Sequence, residues 1–241
     1  MTELERQVEF DVGGNLSSTI TVSEKLRVVN LFPTGVGLFN RKELSKSERK
    51  FIEELEHKHN KGNRSTKHTY ILNDKRLKKL KEYFLICVNE YSSRVMGMKA
   101  GVDLYITQSW ANFTKTGEYH HKHEHPNSIV SGVFYVKTDA EADKIYFERN
   151  EYRQIKPEVS EFNVYNSDSW WYQVQEGQLV LFPSSLSHRV ATIEKEGHER
   201  IRLSFNTFPT GNLGERDSLT ECILEETIHN VKTGVMNWHI L

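Results

Sequence analysis

The segment Tyr119-His120-His121-Lys122-His123-Glu124-His125-Pro126-Asn127 is answered far downstream by Ser187-His188-Arg189-Val190 and then by Arg200-Ile201-Arg202-Leu203-Ser204-Phe205-Asn206. Successive side chains on a strand point to opposite faces, so an extended chain puts His121, His123 and His125 on one face and Lys122 and Glu124 on the other. Any His-x-His pair on that face can grip one ion, and neutral imidazole suits iron, zinc, copper or nickel. The facial arrangement of non-heme iron sites uses two histidines and one carboxylate. Here no carboxylate joins the histidine face, because an extended Glu124 points away from His123. A histidine-rich tract alone is a weak signal that also fits a metal-scavenging surface loop; the downstream His188 block is what raises it above that. His120 and His121 by themselves read as solvated loop residues. His57, His59, His68, His198, His229 and His239 read as structural or exposed.

Outward from this segment, everything after Gly97 breaks into short β-forming stretches: Asp103–Ile106 into Trp110, Ser128–Val136, Lys144–Phe147, Tyr172–Val174, Gln178–Phe182, His188–Ala191 and Arg200–Phe205. Many short strands at short spacing predict a sandwich or barrel. In the last of them Ile201, Leu203 and Phe205 form an apolar face, while Arg200, Arg202, Ser204 and Asn206 form a polar one, as a strand lining a barrel requires. The stretch from Asn150 to Ser169 is polar and irregular and reads as an insertion beside the site.

Upstream, Val28 to Phe39 predicts two short strands around a turn at a sheet edge. Ser45 to Lys58 predicts a helix ending before Asn60-Lys61-Gly62-Asn63. A second helix is expected from about Asp74 to about Val95, because Leu77, Leu80, Tyr83, Phe84, Cys87, Val88 and Tyr91 keep the three-and-four spacing of a face packed on a sheet. Leu219 to Thr233 fits a helix. One domain over 1–241 is expected, with N-terminal strands and supporting helices at 1–98, a metal-binding core at 99–210 and an extension at 211–241.

A net charge of -1 over 241 residues argues against bulk nucleic-acid binding. The local run Lys75-Arg76-Leu77-Lys78-Lys79-Leu80-Lys81 reads as the solvated face of an amphipathic helix. Only Cys87 and Cys222 are present, and Cys87 sits in an apolar run, so a reducing cytoplasm is the expected setting. No secretory leader or membrane span is expected from the charged first residues.

The ordered blocks resemble the iron(II) and 2-oxoglutarate-dependent oxygenases, most closely those often found in phage genomes. The similarity runs from about Leu104 to Asn206. It rests on Trp110-x-Asn112, on His123-Glu124-His125-Pro126-Asn127-Ser128 leading to Ser131-Gly132-Val133-Phe134-Tyr135-Val136, on Gly177 through Ser184 before His188, and on Arg200-x-x-x-Ser204-Phe205-Asn206. The resemblance implies a mainly β fold with flanking helices, a double-stranded β-helix (jelly roll, cupin-like), with the metal at its open end. It also implies Fe(II) held by His123, His125 and His188, with 2-oxoglutarate and O2 as co-substrates. The expected reaction couples oxidative decarboxylation of 2-oxoglutarate to oxidation of a second substrate, with hydroxylation as the default outcome. The chain departs from the pattern at His125, where prolyl hydroxylases carry an aspartate.

The far carboxylate of a chelated dicarboxylate needs a fixed cation, and a guanidinium fork matches it best. Arg200 is the first candidate and Arg202, on the same face, the second; a surface Arg200 paired with Glu196 or Glu199 is the plain alternative. Asn112 and Tyr105 could reach the co-substrate from a neighbouring strand, and one of Trp170 and Trp171 could face the substrate. The competing reading is a catalytically silent jelly-roll module that binds a metal or a small acid, since this fold hosts many functions.

Overall fold

The run Val130–Lys137 is apolar on both of its faces because it separates two hydrophobic layers. Phe134 and Val136 join a cluster with Phe84, Val88, Leu203 and Phe205. Val133 and Tyr135 alternate with them into a second cluster with Ile145, Phe147, Val180 and Phe182. The computed structural model that shows this describes residues 6–10, 18–22, 28–41, 44–150 and 155–224.

The strands are β1 (Arg6–Phe10), β2 (Ser18–Val22), β3 (Gly37–Asn40), β4 (His57–Asn60), β5 (Asn63–Thr66), β6 (Val102–Lys115), β7 (His120–His123), β8 (Val130–Lys137), β9 (Lys144–Glu148), β10 (Ser169–Gln173), β11 (Gln178–Pro183), β12 (His188–Val190), β13 (Glu199–Leu213) and β14 (Cys222–Leu224); the helices are α1 (Lys46–Glu53) and α2 (Lys78–Arg94). A major sheet runs β3-β11-β8-β13-β6-β5-β4, with β14 paired to β13, and a minor sheet runs β10-β9-β12-β7. The named pairings are antiparallel. Among the described residues, β1 and β2 pair with each other as a two-stranded sheet.

Period-two alternation sorts the side chains of the major sheet between its two faces. Ala111 and Phe113 of β6, Leu179 and Leu181 of β11, and Ile201, Leu203 and Phe205 of β13 pack under α2. The opposite faces of the same strands turn toward the minor sheet. Its apolar end is filled by the Phe147–Phe182 layer, and its polar end by Asn112, Arg202 and Ser204. Two sheets packed over such an interior make the double-stranded β-helix.

Helix α2 buries Leu80, Phe84, Cys87, Val88 and Tyr91, as their spacing predicts, and Phe84 stacks on Phe205 at 5.0 Å between ring centroids. A short 3-10 turn at Lys75–Leu77 leads into it, opened by Asp74, whose side chain accepts from the Arg76 backbone. Ser45 opens α1 with a reciprocal capping box with Glu48.

Four expectations need correction. Only Gly37–Asn40 of the 28–39 segment is a strand; it does lie at the sheet edge, against β11. The helix begun at Ser45 stops at Glu53, and His57–Thr66 forms the β4–β5 hairpin, turned by Gly62 at φ 84. β6 and β13 are much longer than the apolar runs that announce them. Cys222–Leu224, expected to be helical, is strand β14; the rest of that segment lies outside the described residues.

Candidate active site

His123 closes β7 and faces His188, the first residue of β12, as its cross-strand partner, with ring centroids 4.3 Å apart. His125 lies just past the end of β7, where its backbone N–H donates to Ser184 O at 3.0 Å. Its ring comes within 5.0 Å of His188 and 5.1 Å of His123. One ring nitrogen of each of these histidines lies within 4.8 Å of the others.

Which nitrogen converges follows from the partners of the other one. His123 Nδ1 is 2.7 Å from the carbonyl of His121, and His188 Nδ1 is 3.1 Å from that of Leu186. A carbonyl only accepts, so each Nδ1 carries its proton and each Nε2 offers a lone pair. For His125 the proton is set by a chain of hydroxyls. Ser128 donates to Val130 O, and Ser184 donates to Ser128 at 2.7 Å. The Ser131 hydrogen therefore goes to Ser184 (2.8 Å) or to Asn206 Oδ1 (3.1 Å). Either way Ser131 Oγ is left to accept from His125 Nδ1 at 2.7 Å. All three imidazoles thus hold the tautomer of a metal ligand whose second nitrogen is anchored.

Burial holds these rings neutral. It lowers His123 and His125 from 6.5 to about 4, with the Arg202 charge adding to the effect, and it holds His188 well below the ordinary value. Glu124 is exposed and accepts from Asn150 Nδ2 at 3.0 Å, so it does not supply the missing carboxylate. His121, expected to share the histidine face, stands outside the convergent set.

The histidines open on a cavity of about 190 Å³ lined also by Asn60, Trp110, Asn112, His120, Arg202 and Ser204. Trp110 Nε1 donates to Asn112 Oδ1 at 3.0 Å, which leaves Asn112 Nδ2 buried with no partner. Arg202 is 3% exposed, its Nε is also unpartnered, and among the described residues it meets no carboxylate. Burial lowers its pKa to about 9, helped by the neighbouring Arg200 charge. A cation kept this dry with unfilled donors is a site for an anion. The residues present therefore fit both a divalent metal and an acidic ligand beside it.

Arg200 differs in having a carboxylate partner, although its Nε and Nη2 are also buried without partners. Its Nη1 reaches Asp143 Oδ1 at 3.1 Å, and Asp143 also takes Thr138 Oγ1, the Asp139 backbone N–H and His198 Nε2. Burial pushes the Asp143 carboxyl up, but Arg200 and these donors outweigh it and hold the carboxyl low. Tyr105 packs edge-on to Phe208 and does not line the cavity. Trp171 lies under Lys144 Nζ at 3.8 Å from the ring centre, while Trp170 lines a separate, larger groove that shares no residue with the histidine cavity.

Sequence reasoning missed three participants. His120 is buried rather than solvated, with its ring 4.5 Å from that of His123. Its partner Asn63 lies 57 positions away, so no local pattern announces the contact. Trp110 reads as core yet lines the cavity, and Ser131 is visible in the sequence only as part of a block.

A double-stranded β-helix with convergent imidazoles and a buried guanidinium that meets no carboxylate makes a site able to hold a metal with an acidic ligand beside it. Residues 108–206 match the family described as "Putative 2OG-Fe(II) oxygenase". The description of that family names iron and 2-oxoglutarate. The fold is shared with HygX from Streptomyces hygroscopicus, solved with nickel, 2-oxoglutarate and hygromycin B bound, at 12% identity and a TM-score of 0.51 over 73% of this chain and 84% of that one. It is shared also with the epimerase SnoN in complex with Fe3+, alpha ketoglutarate and nogalamycin RO, at 9% identity and a TM-score of 0.50 over 74% and 81% of the two chains. No curated protein sequence matches the chain. No helix among the described residues is long and apolar enough to cross a membrane.

Proposed function

We propose that His123, His125 and His188 hold Fe(II) through Nε2, and that Arg202, with Asn112 Nδ2 beside it, receives the far carboxylate of 2-oxoglutarate. The observation that carries this reading is Arg202 itself: a buried guanidinium in the histidine cavity with no carboxylate of its own. Arg200, preferred on sequence grounds, already has Asp143, so the role passes to Arg202. When bound, the iron supplies the oxidising chemistry that couples decarboxylation of the keto acid to oxidation of a primary substrate, with hydroxylation the default.

The chain's own residues bind, orient and keep dry. The His121 and Leu186 carbonyls and Ser131 fix the three rings, so the donors need no rearrangement to receive the metal. The guanidinium fork sets which end of a dicarboxylate lies deep in the cavity. The Phe147–Phe182 layer packs against His188, with Phe182 4.7 Å from it, and excludes water from that side. A cytoplasmic location, an origin of the type often found in phage genomes and an absence of bulk nucleic-acid binding complete this reading. The all-imidazole donor set keeps the silent metal- or acid-binding module as a second reading.

The test is an anaerobic titration of metal-free protein with Fe(II) and then 2-oxoglutarate, read by the weak visible charge-transfer band of a chelated keto acid. The band should saturate in the parent protein, vanish in His188→Ala, and need at least about tenfold more 2-oxoglutarate in Arg202→Gln, the scale of one lost charge-assisted pair. Tight zinc binding with no band under any condition would establish the silent module instead.

A further inference from the structure

Arg202 Nη2 donates to Nδ1 of His120, and Asn63 Nδ2 points at the same nitrogen from 2.7 Å. The orientation of Asn63 is settled by its other partners: its Oδ1 accepts from Asn60 Nδ2 at 3.2 Å, and its Nδ2 donates to the Tyr119 carbonyl at 3.1 Å. A guanidinium has only donors. Two donors therefore meet on His120 Nδ1, which must present its lone pair to both. That nitrogen is consumed and is no metal ligand, although the ring lies against His123 and stacks at 15° on His121.

The two buried arginines of β13 show why a neutral acceptor matters. Asp143 pins Arg200 and cancels its charge in doing so. A carboxylate in the place of His120 would likewise hold Arg202, and it would compete with any acid entering the cavity. An imidazole holds the guanidinium through a hydrogen bond and leaves its charge uncancelled. We propose that His120 is a positioning residue: with Asn63 behind it, its Nδ1 lone pair fixes the Arg202 guanidinium in the orientation that receives the co-substrate's far carboxylate. This rests on the role proposed above for Arg202.

Asparagine places Oδ1 as many bonds from the backbone as histidine places Nδ1, so His120→Asn keeps the acceptor, whereas His120→Leu keeps bulk and removes it. The experiment measures, by calorimetry on the full Ni(II)-loaded chain, the affinities for 2-oxoglutarate and for 2-oxobutyrate, a keto acid that lacks the far carboxylate. Ni(II) affinity and melting temperature are followed alongside. His120→Leu should weaken 2-oxoglutarate by about tenfold or more, the scale of one hydrogen bond to a charged group, and change 2-oxobutyrate and Ni(II) by less than about twofold. His120→Asn should recover 2-oxoglutarate to within about threefold of the parent, and Asn63→Ala should weaken it selectively.

An unchanged 2-oxoglutarate affinity in His120→Leu, beside a weakened one in Arg202→Gln, would overturn the inference and leave the Arg202 reading standing. Equal weakening of both acids by His120→Leu would overturn it in favour of simple packing. If Arg202→Gln leaves the preference for 2-oxoglutarate over 2-oxobutyrate intact, the Arg202 reading itself fails and the inference falls with it. Should His120→Leu not fold, the Asn63→Ala and His120→Asn pair decides: selective weakening in the first and its absence in the second support the proposal, and any other pattern overturns it.

Discussion

Replacing Ser131 by alanine removes the hydroxyl that receives His125 Nδ1–H and interrupts the hydroxyl chain through Ser184 and Ser128 to the Val130 carbonyl. The His125 proton is then free to move between nitrogens, so Ser131→Ala should cost about 10–100-fold in Co(II) or Ni(II) affinity. Melting temperature should change much less, and unaltered metal affinity would count against the proton order deduced here. At this scale the site was partly legible. His123, His125 and His188 stand out because a ligand set must use chemically distinctive residues at fixed spacing. The proposed preference for Arg202 over Arg200 was not legible, because it rests on Asp143, and only the fold brings a β9-edge carboxylate to one of two arginines on the same strand face. The buried state of His120 was hidden for the same reason, since its partner Asn63 arrives from the β4–β5 hairpin.

Gly132 of β8 lies opposite Phe205 of β13, and an added Cβ there would lie 2.2 Å from the Phe205 ring. Phe205 cannot yield freely, because Phe84 of α2 stacks on its other side. Gly132→Ala should therefore destabilise by about 1–3 kcal/mol, seen as a lower urea midpoint, and loosen α2 against the sheet. A fully parental midpoint would mean that the ring has room to turn. Elements with a strong internal period were readable: α2 from its leucines and aromatics, β8 and β11 from their unbroken apolar runs. The polar strand His57–Asn60 has no apolar face to announce it and exists because it pairs with β5. β13 runs on through Pro209 and Gly211, residues that locally signal a stop, because β6 pairs with them at Leu104 and Val102. Cys222–Leu224 is too short for a period to separate helix from strand, and its pairing with Gly211–Leu213 decides the matter.

Acid should weaken the whole metal-free molecule earlier than carboxylate titration alone would. In the unfolded chain the histidines take up protons below about 6.5. In the folded one His123 and His125 do so only near about 4, and burial holds His188 well below its ordinary value too. Between those values the unfolded state binds more protons, so stability falls as pH falls through this window and is fully present above it. Lowering the pH from 7.5 to 5 should cost the metal-free protein at least about 1 kcal/mol in urea unfolding after allowance for solvent screening. Bound Ni(II) should enlarge the loss, because protons then compete with the metal. A flat profile over that range would argue against neutral buried rings.

The central position of β13 has a further consequence, one of timing. The strand that joins β6 to β8 and carries both buried arginines begins at residue 199, after nearly all of its partners have been made. A growing chain emerges at about 5–20 residues per second, so β6 and β8 wait for seconds with their inner edges unpaired. Closure then joins segments far apart in sequence, and such non-local pairing folds over about milliseconds to seconds. A chain truncated before Glu199 should show no cooperative unfolding transition and should aggregate through those open edges. One ending at Leu224 should refold in a single slow phase that creates the cavity and the core in the same step.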